Sequence, residues 1–272
     1  YSGGATCPSL LLEPSRTNLI PQSEYFNSSY WIKSGSPTVS VSDNAGISPE
    51  GVSNATRFVA ASAQQSTRLY TSVTWTAVPY TLSLYVKNNG GTNTNLRFSY
   101  YDSTGQYFSP TFTLTDEWQR IEYTFTPTAS SGGFWIVNTP TGGLNLDLLA
   151  FAAQLEVGSY ATSYIPTYGV SQTRAADLCT ATSVSNLIGQ TQGTIFIDVN
   201  ISDNLDTSNI RGIFDMNDGG TNNRISIYRG ANDLNIYAVI FDSGTNQASF
   251  TAYNTTGNVK IALAYNSLGA VF

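Results

Sequence analysis

The hydrophobic positions of this chain recur every second residue, over short stretches, again and again. Leu82, Leu84 and Val86 alternate with Thr81, Ser83, Tyr85 and Lys87. Leu96, Phe98 and Tyr100 alternate with Arg97, Ser99 and Tyr101, and Ile121, Tyr123 and Phe125 with Arg120, Glu122 and Thr124. A period of two places successive side chains on opposite faces of a strand, so each stretch predicts a half-buried β-strand. Leu149, Phe151, Ala153 and Leu155 close this first series. Clusters of turn formers separate the strands: Asn88-Asn89-Gly90-Gly91 after the first, and Asp102-Ser103-Thr104-Gly105, a hairpin signal, after the second.

The pattern pauses between residues 158 and 192, where Pro166 and Gly169 break it and Arg174 to Leu187 is a short helical or irregular bridge. It resumes at Gly193, with Ile195, Ile197, Val199 and Ile201 on one face and Phe196, Asp198 and Asn200 on the other. Further strands are expected at 224–228, 234–241, 247–253 and 259–265. With no helical stretch between strands, the sheets must be antiparallel, and the fold class is all-β: tandem antiparallel sandwiches of the jelly-roll kind. The expected layout is an irregular lead-in over 1–17, a first sandwich over 18–168, a connector over 169–192 and a second sandwich over 193–272. About five strands leave that second sandwich with an uncovered edge, so it is expected to be incomplete at Phe272.

Composition narrows the chemistry. The 272 residues contain no histidine, which removes Ser-His-Asp and Cys-His catalysis and His-ligated zinc. With 12 Lys+Arg against 18 Asp+Glu the chain is acidic, which argues against nucleic-acid binding. No apolar run approaches the roughly 18 residues of a membrane-spanning helix. Ser, Thr, Asn and Gly make up about two-fifths of the chain and supply turns and a weakly charged exterior. Cys7 and Cys179 show no metal-site spacing; two free thiols and one disulfide both stay open.

Two long ordered words add a resemblance. Leu10-Leu11-Leu12-Glu13-Pro14-Ser15-Arg16-Thr17-Asn18-Leu19-Ile20, followed by Ser23-Glu24-Tyr25-Phe26 and Trp31, opens the first sandwich. The stretch from Gln154-Leu155-Glu156 through Ala161-Thr162-Ser163-Tyr164-Ile165-Pro166-Thr167, with Thr173-Arg174-Ala175-Ala176-Asp177, closes it. This region resembles tailed-bacteriophage fibre and virion proteins that carry a carbohydrate-binding-module-like jelly roll. The stretch 193–265 is similar, more weakly, to laminin-G or concanavalin-like sandwiches. The resemblance implies a non-enzymatic fibre- or spike-type protein on the virion surface, outside the cell. Its partners would be host-surface glycans and other virion proteins, and it would be a homo-oligomer such as a trimer. Two other readings are a ligand-free module that decorates a capsid or fibre, and the accessory module of a secreted polysaccharide-degrading enzyme.

Candidate sites follow from strand phase. Tyr85, Arg97 and Tyr101 point away from their strands' apolar faces, and Trp135 lies out of phase with Phe134 and Ile136. Sugar C–H faces stack on aromatic rings and sugar hydroxyls need planar polar partners. Tyr85, Arg97, Tyr101 and Trp135, with Gln154, are therefore the expected glycan-binding set. Trp31, Trp75 and Trp118 read as core or edge packing. No catalytic residues are assigned: Asp116/Glu117 and Asp215/Asp218 are carboxylate pairs in turn-like stretches without distinguishing context. The loop from Asp215 to Gly220 fails as a calcium hand, because Ser226 stands where the bidentate Glu belongs. The resemblance implies a structural calcium at Glu24, Asp147 and Glu156; no other cofactor is expected. The opening and closing words also suggest a structural tie, with Arg16 paired to Glu156 or Glu13 and Asn18 holding a turn.

Overall fold

A computed structural model describes residues 11–34, 39–63, 68–92, 94–138, 143–189, 191–201, 210–231, 233, 235–252, 257–266 and 269–271. Cys7 and Phe272, and with Phe272 the expected end of an incomplete sandwich, lie outside the described residues; Cys179 is exposed. The chain divides into two compact units, Tyr1–Cys179 and Thr180–Phe272.

In the first unit the strands are β1 (Arg16–Asn18), β2 (Ile32–Ser34), β3 (Ser40–Gly46), β4 (Ala55–Ala63), β5 (Arg68–Thr74), β6 (Tyr80–Asn88), β7 (Asn95–Asp102), β8 (Gly105–Phe108), β9 (Phe112–Thr113), β10 (Gln119–Phe125), β11 (Ser131–Asn138), β12 (Gly143–Val157) and β13 (Gln172–Arg174). One sheet runs β10-β6-β12-β4-β3, a second runs β2-β5-β11-β7-β8 with β9 on β7, and β1 pairs with β13. Every pairing is antiparallel. From β4 to β7 each strand passes to the opposite sheet. The Asn88–Gly91 turn, with Gly90 at φ 92, therefore carries the chain across the sandwich, whereas Asp102–Gly105 closes the β7–β8 hairpin.

The two sheets bury one core between them. Phe58, Leu82, Leu84, Val86, Leu148 and Leu155 come from the first sheet, and Leu69, Leu96, Phe98, Phe134 and Ile136 from the second. At one end Trp75 packs edge-on against Tyr80 and Phe125, and at the other Phe26 touches Phe58 and Trp31, which reaches Phe134. Trp31 and Trp75 are core residues, as their flanking patterns suggest, while the Trp118 indole bonds the Ile47 carbonyl at the surface.

β12 is central and buried on both faces. Its register shifts by one residue between Phe151 and Gln154, around Ala152 at φ 60. Such a bulge frees backbone groups from the ladder. Here the Ala153 N–H donates to the Ser23 carbonyl, and the Leu19 N–H donates to the Leu155 carbonyl. The opening segment thereby lies along β12. Arg16 and Thr17 of the expected lead-in, with Asn18, pair with Gln172–Arg174 of the expected connector, and all of them lie in the first unit.

The second unit contains a 3-10 turn at Ser185–Leu187 and strands β14 (Gln192–Ile201), β15 (Arg211–Asn217), β16 (Arg224–Arg229), β17 (Ile236–Asp242), β18 (Thr245–Ala252), β19 (Gly257–Asn266) and β20 (Gly269–Val271). They form a β14-β19-β20 sheet and a β15-β16-β17-β18 sheet over a core of Ile225, Ile227, Ile236, Ile261 and Leu263. The alternation along β14 holds: Ile195, Ile197 and Val199 pack on this core, and Phe196 is exposed. Among the described residues no helix is long and apolar enough to cross a membrane.

Candidate functional site

The second sheet of the first unit, β2-β5-β11-β7-β8, turns an aromatic row outward. Cross-strand partners share a face. Ile32 pairs with Tyr70, Tyr70 with Trp135, Trp135 with Ser99 and Ser99 with Phe108. Tyr101 stands on the neighbouring row, opposite Gly133 and Gln106. Inward positions on the same strands, Leu69, Phe98, Phe134 and Ile136, fill the core, which leaves these residues facing out.

The rings touch. Trp135 lies 5.1 Å from Tyr101 and 6.0 Å from Tyr70, centroid to centroid. Gly133 permits this: a Cβ there would come within 2.6 Å of the Tyr101 ring. Trp135 is only 5% exposed, so it supports the two tyrosines and offers little face of its own. At the far edge the Arg97 guanidinium lies 3.9 Å above the Phe108 ring, and Phe108 is 41% exposed. Arg97 Nε and Nη2 are buried and meet no hydrogen-bond partner among the described residues. Burial lowers the Arg97 pKa, yet a guanidinium stays charged at any ordinary pH.

Of the five expected glycan residues, Arg97, Tyr101 and Trp135 come together here. Tyr85 and Gln154 do not join them. Both lie on the outer face of the other sheet, β10-β6-β12-β4-β3. That face is covered by the segment 158–167, and Gln154 is fully buried. Its amide donates to the Thr162 carbonyl and accepts from the Ile165 N–H. Tyr85 sits under Arg120, whose guanidinium also holds the Thr162 carbonyl and the Ser83 hydroxyl. Strand phase is right for both, but phase does not report what lies above a face. Conversely, Tyr70 and Phe108, outside the expected set, share this outward face. Tyr70 was legible from the alternation Leu69, Thr71, Val73, and Phe108 from counting back along the Asp102–Gly105 hairpin to Ser99.

Solved structures to which the chain is similar include the CBM22-1 xylan-binding domain of Paenibacillus barcinonensis Xyn10C, at 16% identity and TM-score 0.41. That alignment covers 54% of this chain and 94% of that one. The CBM22-1–GH10 modules of Clostridium thermocellum Xyn10B align at 16% identity and TM-score 0.39, over 52% of this chain and 28% of that one. The tandem CBM22-1–CBM22-2 pair of the Paenibacillus enzyme aligns at 11% identity and TM-score 0.41, over 98% and 89%. At such values nothing about ligands passes to this chain. No family model matches the sequence, and no curated protein matches it.

The three carboxylates expected to hold calcium are not brought together. Glu24 accepts from the Tyr164 and Tyr168 hydroxyls, Asp147 from Arg57 and Asn89, and Glu156 from the backbone and hydroxyl of Thr162. Among the described residues no three His, Cys, Asp or Glu side chains gather as a metal site. Asp116, Asp215 and Asp218 likewise serve as acceptors for nearby Asn, Ser and glycine-amide groups.

The expected tie between opening and closing words is present, with one changed partner. Glu13 pairs with Arg174, while Arg16 stacks near Tyr160. Asn18 is fully buried and makes four bonds: its amide donates to the Ala153 and Ile165 carbonyls and accepts from the Ile20 and Leu155 N–H groups.

Proposed function

We propose that the first unit binds a glycan along the outer face of its β2-β5-β11-β7-β8 sheet, without catalysis. The observation that carries this is Arg97. Its guanidinium lies over the half-exposed Phe108 ring on the outward face, and a cation next to the Tyr70 and Tyr101 rings suits both the hydroxyls and the C–H faces of a sugar. The words that open and close the unit support placing it in a fibre- or virion-type protein of a tailed phage, displayed outward. Many copies would then turn weak sugar contacts into avid attachment.

A glycan array probed with the full chain tests the reading. Wild type is expected to bind at least one glycan class, and Tyr101→Ala and Arg97→Leu are each expected to lose about tenfold in affinity or more. Equal binding by both variants, with their folds intact, would overturn the assignment of this face.

A further inference from the structure

A second depression lies in the same unit, at the end of the sandwich that Phe26 and Trp31 plug. Gln22, Tyr25, Asn27, Ser28, Asp43 and Tyr168 line an open cavity of about 520 Å³, within the range of small-molecule sites. Tyr25 and Tyr168 meet at an angle of 62°, 6.4 Å between centroids, and are 44% and 63% exposed. Two large aromatic side chains are thus left open at one cavity.

The polar groups around them are held in place. The Asp43 carboxylate accepts from the Asn27 N–H at 3.2 Å and from the Thr56 hydroxyl at 2.8 Å. A carboxylate has about four acceptor positions, so capacity remains. The Tyr168 hydroxyl donates to Glu24, which fixes that ring. The Tyr25–Ser28 turn is closed by the Ser28 N–H on the Tyr25 carbonyl, and the Trp31 indole donates to the Gln22 carbonyl. In this arrangement the Ser28 hydroxyl is buried and has no partner among the described residues.

We propose that this depression is a second saccharide site, separate from the aromatic sheet face, which takes one unit of a neutral glycan. The sugar ring stacks on Tyr25 or Tyr168, and its hydroxyls bond the Asp43 carboxylate. Charge decides the class. Asp43 lines the cavity, and Glu24 and Glu50 both act on the Tyr168 phenol, whose pKa is raised first by burial and then by these carboxylates. The nearby cation, Lys33, is bonded to the Asn27 side-chain oxygen. An acidic sugar would be repelled; a neutral one meets acceptors for its hydroxyls.

Amide chemical shifts of the ¹⁵N-labelled full chain test this, titrated to about 10 mM, well above a millimolar Kd, with xylohexaose, cellohexaose or mannohexaose, and with hexagalacturonate as the anionic control. A neutral oligosaccharide is expected to move the Tyr25, Asn27, Ser28, Asp43 and Tyr168 amides. Tyr25→Ala is expected to weaken that response about tenfold while leaving shifts at Tyr70, Arg97 and Tyr101 unchanged; Tyr25→Phe, which keeps the ring, is expected to retain it. Shifts confined to the sheet face, no shift with any neutral probe, stronger binding of hexagalacturonate, or an unaltered response in Tyr25→Ala would each overturn the proposal. Shifts at the depression with none at the sheet face would sustain it and overturn the site proposed for the sheet instead.

Discussion

The two outer faces of the first unit start from the same strand pattern and end in opposite conditions. On the β10-β6-β12-β4-β3 sheet the outward residues Thr81, Ser83, Gln154 and Glu156 are fully buried under the segment 158–167. Their polar groups are satisfied: Thr81 by the Gly158 carbonyl, Ser83 by Arg120, Gln154 by Ile165 and Thr162, Glu156 by Thr162. On the β2-β5-β11-β7-β8 sheet the outward residues are rings and a guanidinium, and two N–H groups of Arg97 find no protein acceptor among the described residues. The covered face is nearly saturated: Arg120 Nε is left without a hydrogen-bond partner among the described residues, and these other polar groups are spent on the fold. An unsaturated face keeps bonding capacity for something else.

The sharpest break of this comparison is at Asn18, which fastens the covering segment. Asn18→Ala strands two carbonyls and two N–H groups in a fully buried position. Equilibrium urea unfolding is expected to show a loss of about 3–5 kcal/mol, near the top of what single substitutions cost. A loss below about 1 kcal/mol would mean that the covering segment is not fixed by this residue.

Tyr85 tests the covered face more gently. It lies on the covered face, carries Arg120 at 5.5 Å and touches Phe151 at 6.5 Å. Tyr85→Ala is expected to cost about 1–2 kcal/mol in unfolding and to leave every glycan signal unchanged. A fall in glycan binding with unchanged stability would return Tyr85 to the site.

Arg97→Leu inverts that result. The substitution removes two buried donor nitrogens that have no hydrogen-bond partner among the described residues, while an apolar side chain remains over Phe108. Stability is expected to hold or rise by up to about 1 kcal/mol, read from thermal unfolding, while sugar affinity falls. A residue that serves ligand at the expense of fold behaves this way. Destabilisation by more than about 1 kcal/mol would identify Arg97 as structural.

The strands themselves were legible because their alternation is strict, as in β6, β7, β10 and β14. The hairpin at Asp102–Gly105 was legible because its turn chemistry is local. Asn18 and the Glu13 tie were also within reach, since buried polar side chains must be satisfied, although Arg174 proved to be the partner where Arg16 was expected. What escaped was the traffic between sheets. The Asn88–Gly91 turn reads equally well as a hairpin or a crossover, and only the crossover separates Tyr85 from Tyr101. The bulge at Ala152 has no glycine to announce it, yet it admits the opening segment along β12 and so decides which face stays open.

The Glu13–Arg174 pair gives the smallest test, because it fastens one corner of the covering segment. Burial pushes the Glu13 carboxyl up, but bonds from Arg174 and the Ser163 N–H outweigh it and hold it below its ordinary 4.5. A carboxyl depressed in the folded state contributes stability that is complete above its unfolded value and lost as pH falls through the folded one. Unfolding followed from pH 6 downward is therefore expected to weaken below about 4.5. Asp102 and Asp147, also depressed, by Thr104 and Arg57 respectively, add to the same slope. Glu13→Gln is expected to remove only its share, flattening the profile slightly while the aromatic face binds as before. If Glu13→Gln instead abolished glycan binding at neutral pH, the two faces would be energetically coupled, and saturation of one could no longer be read independently of capacity in the other.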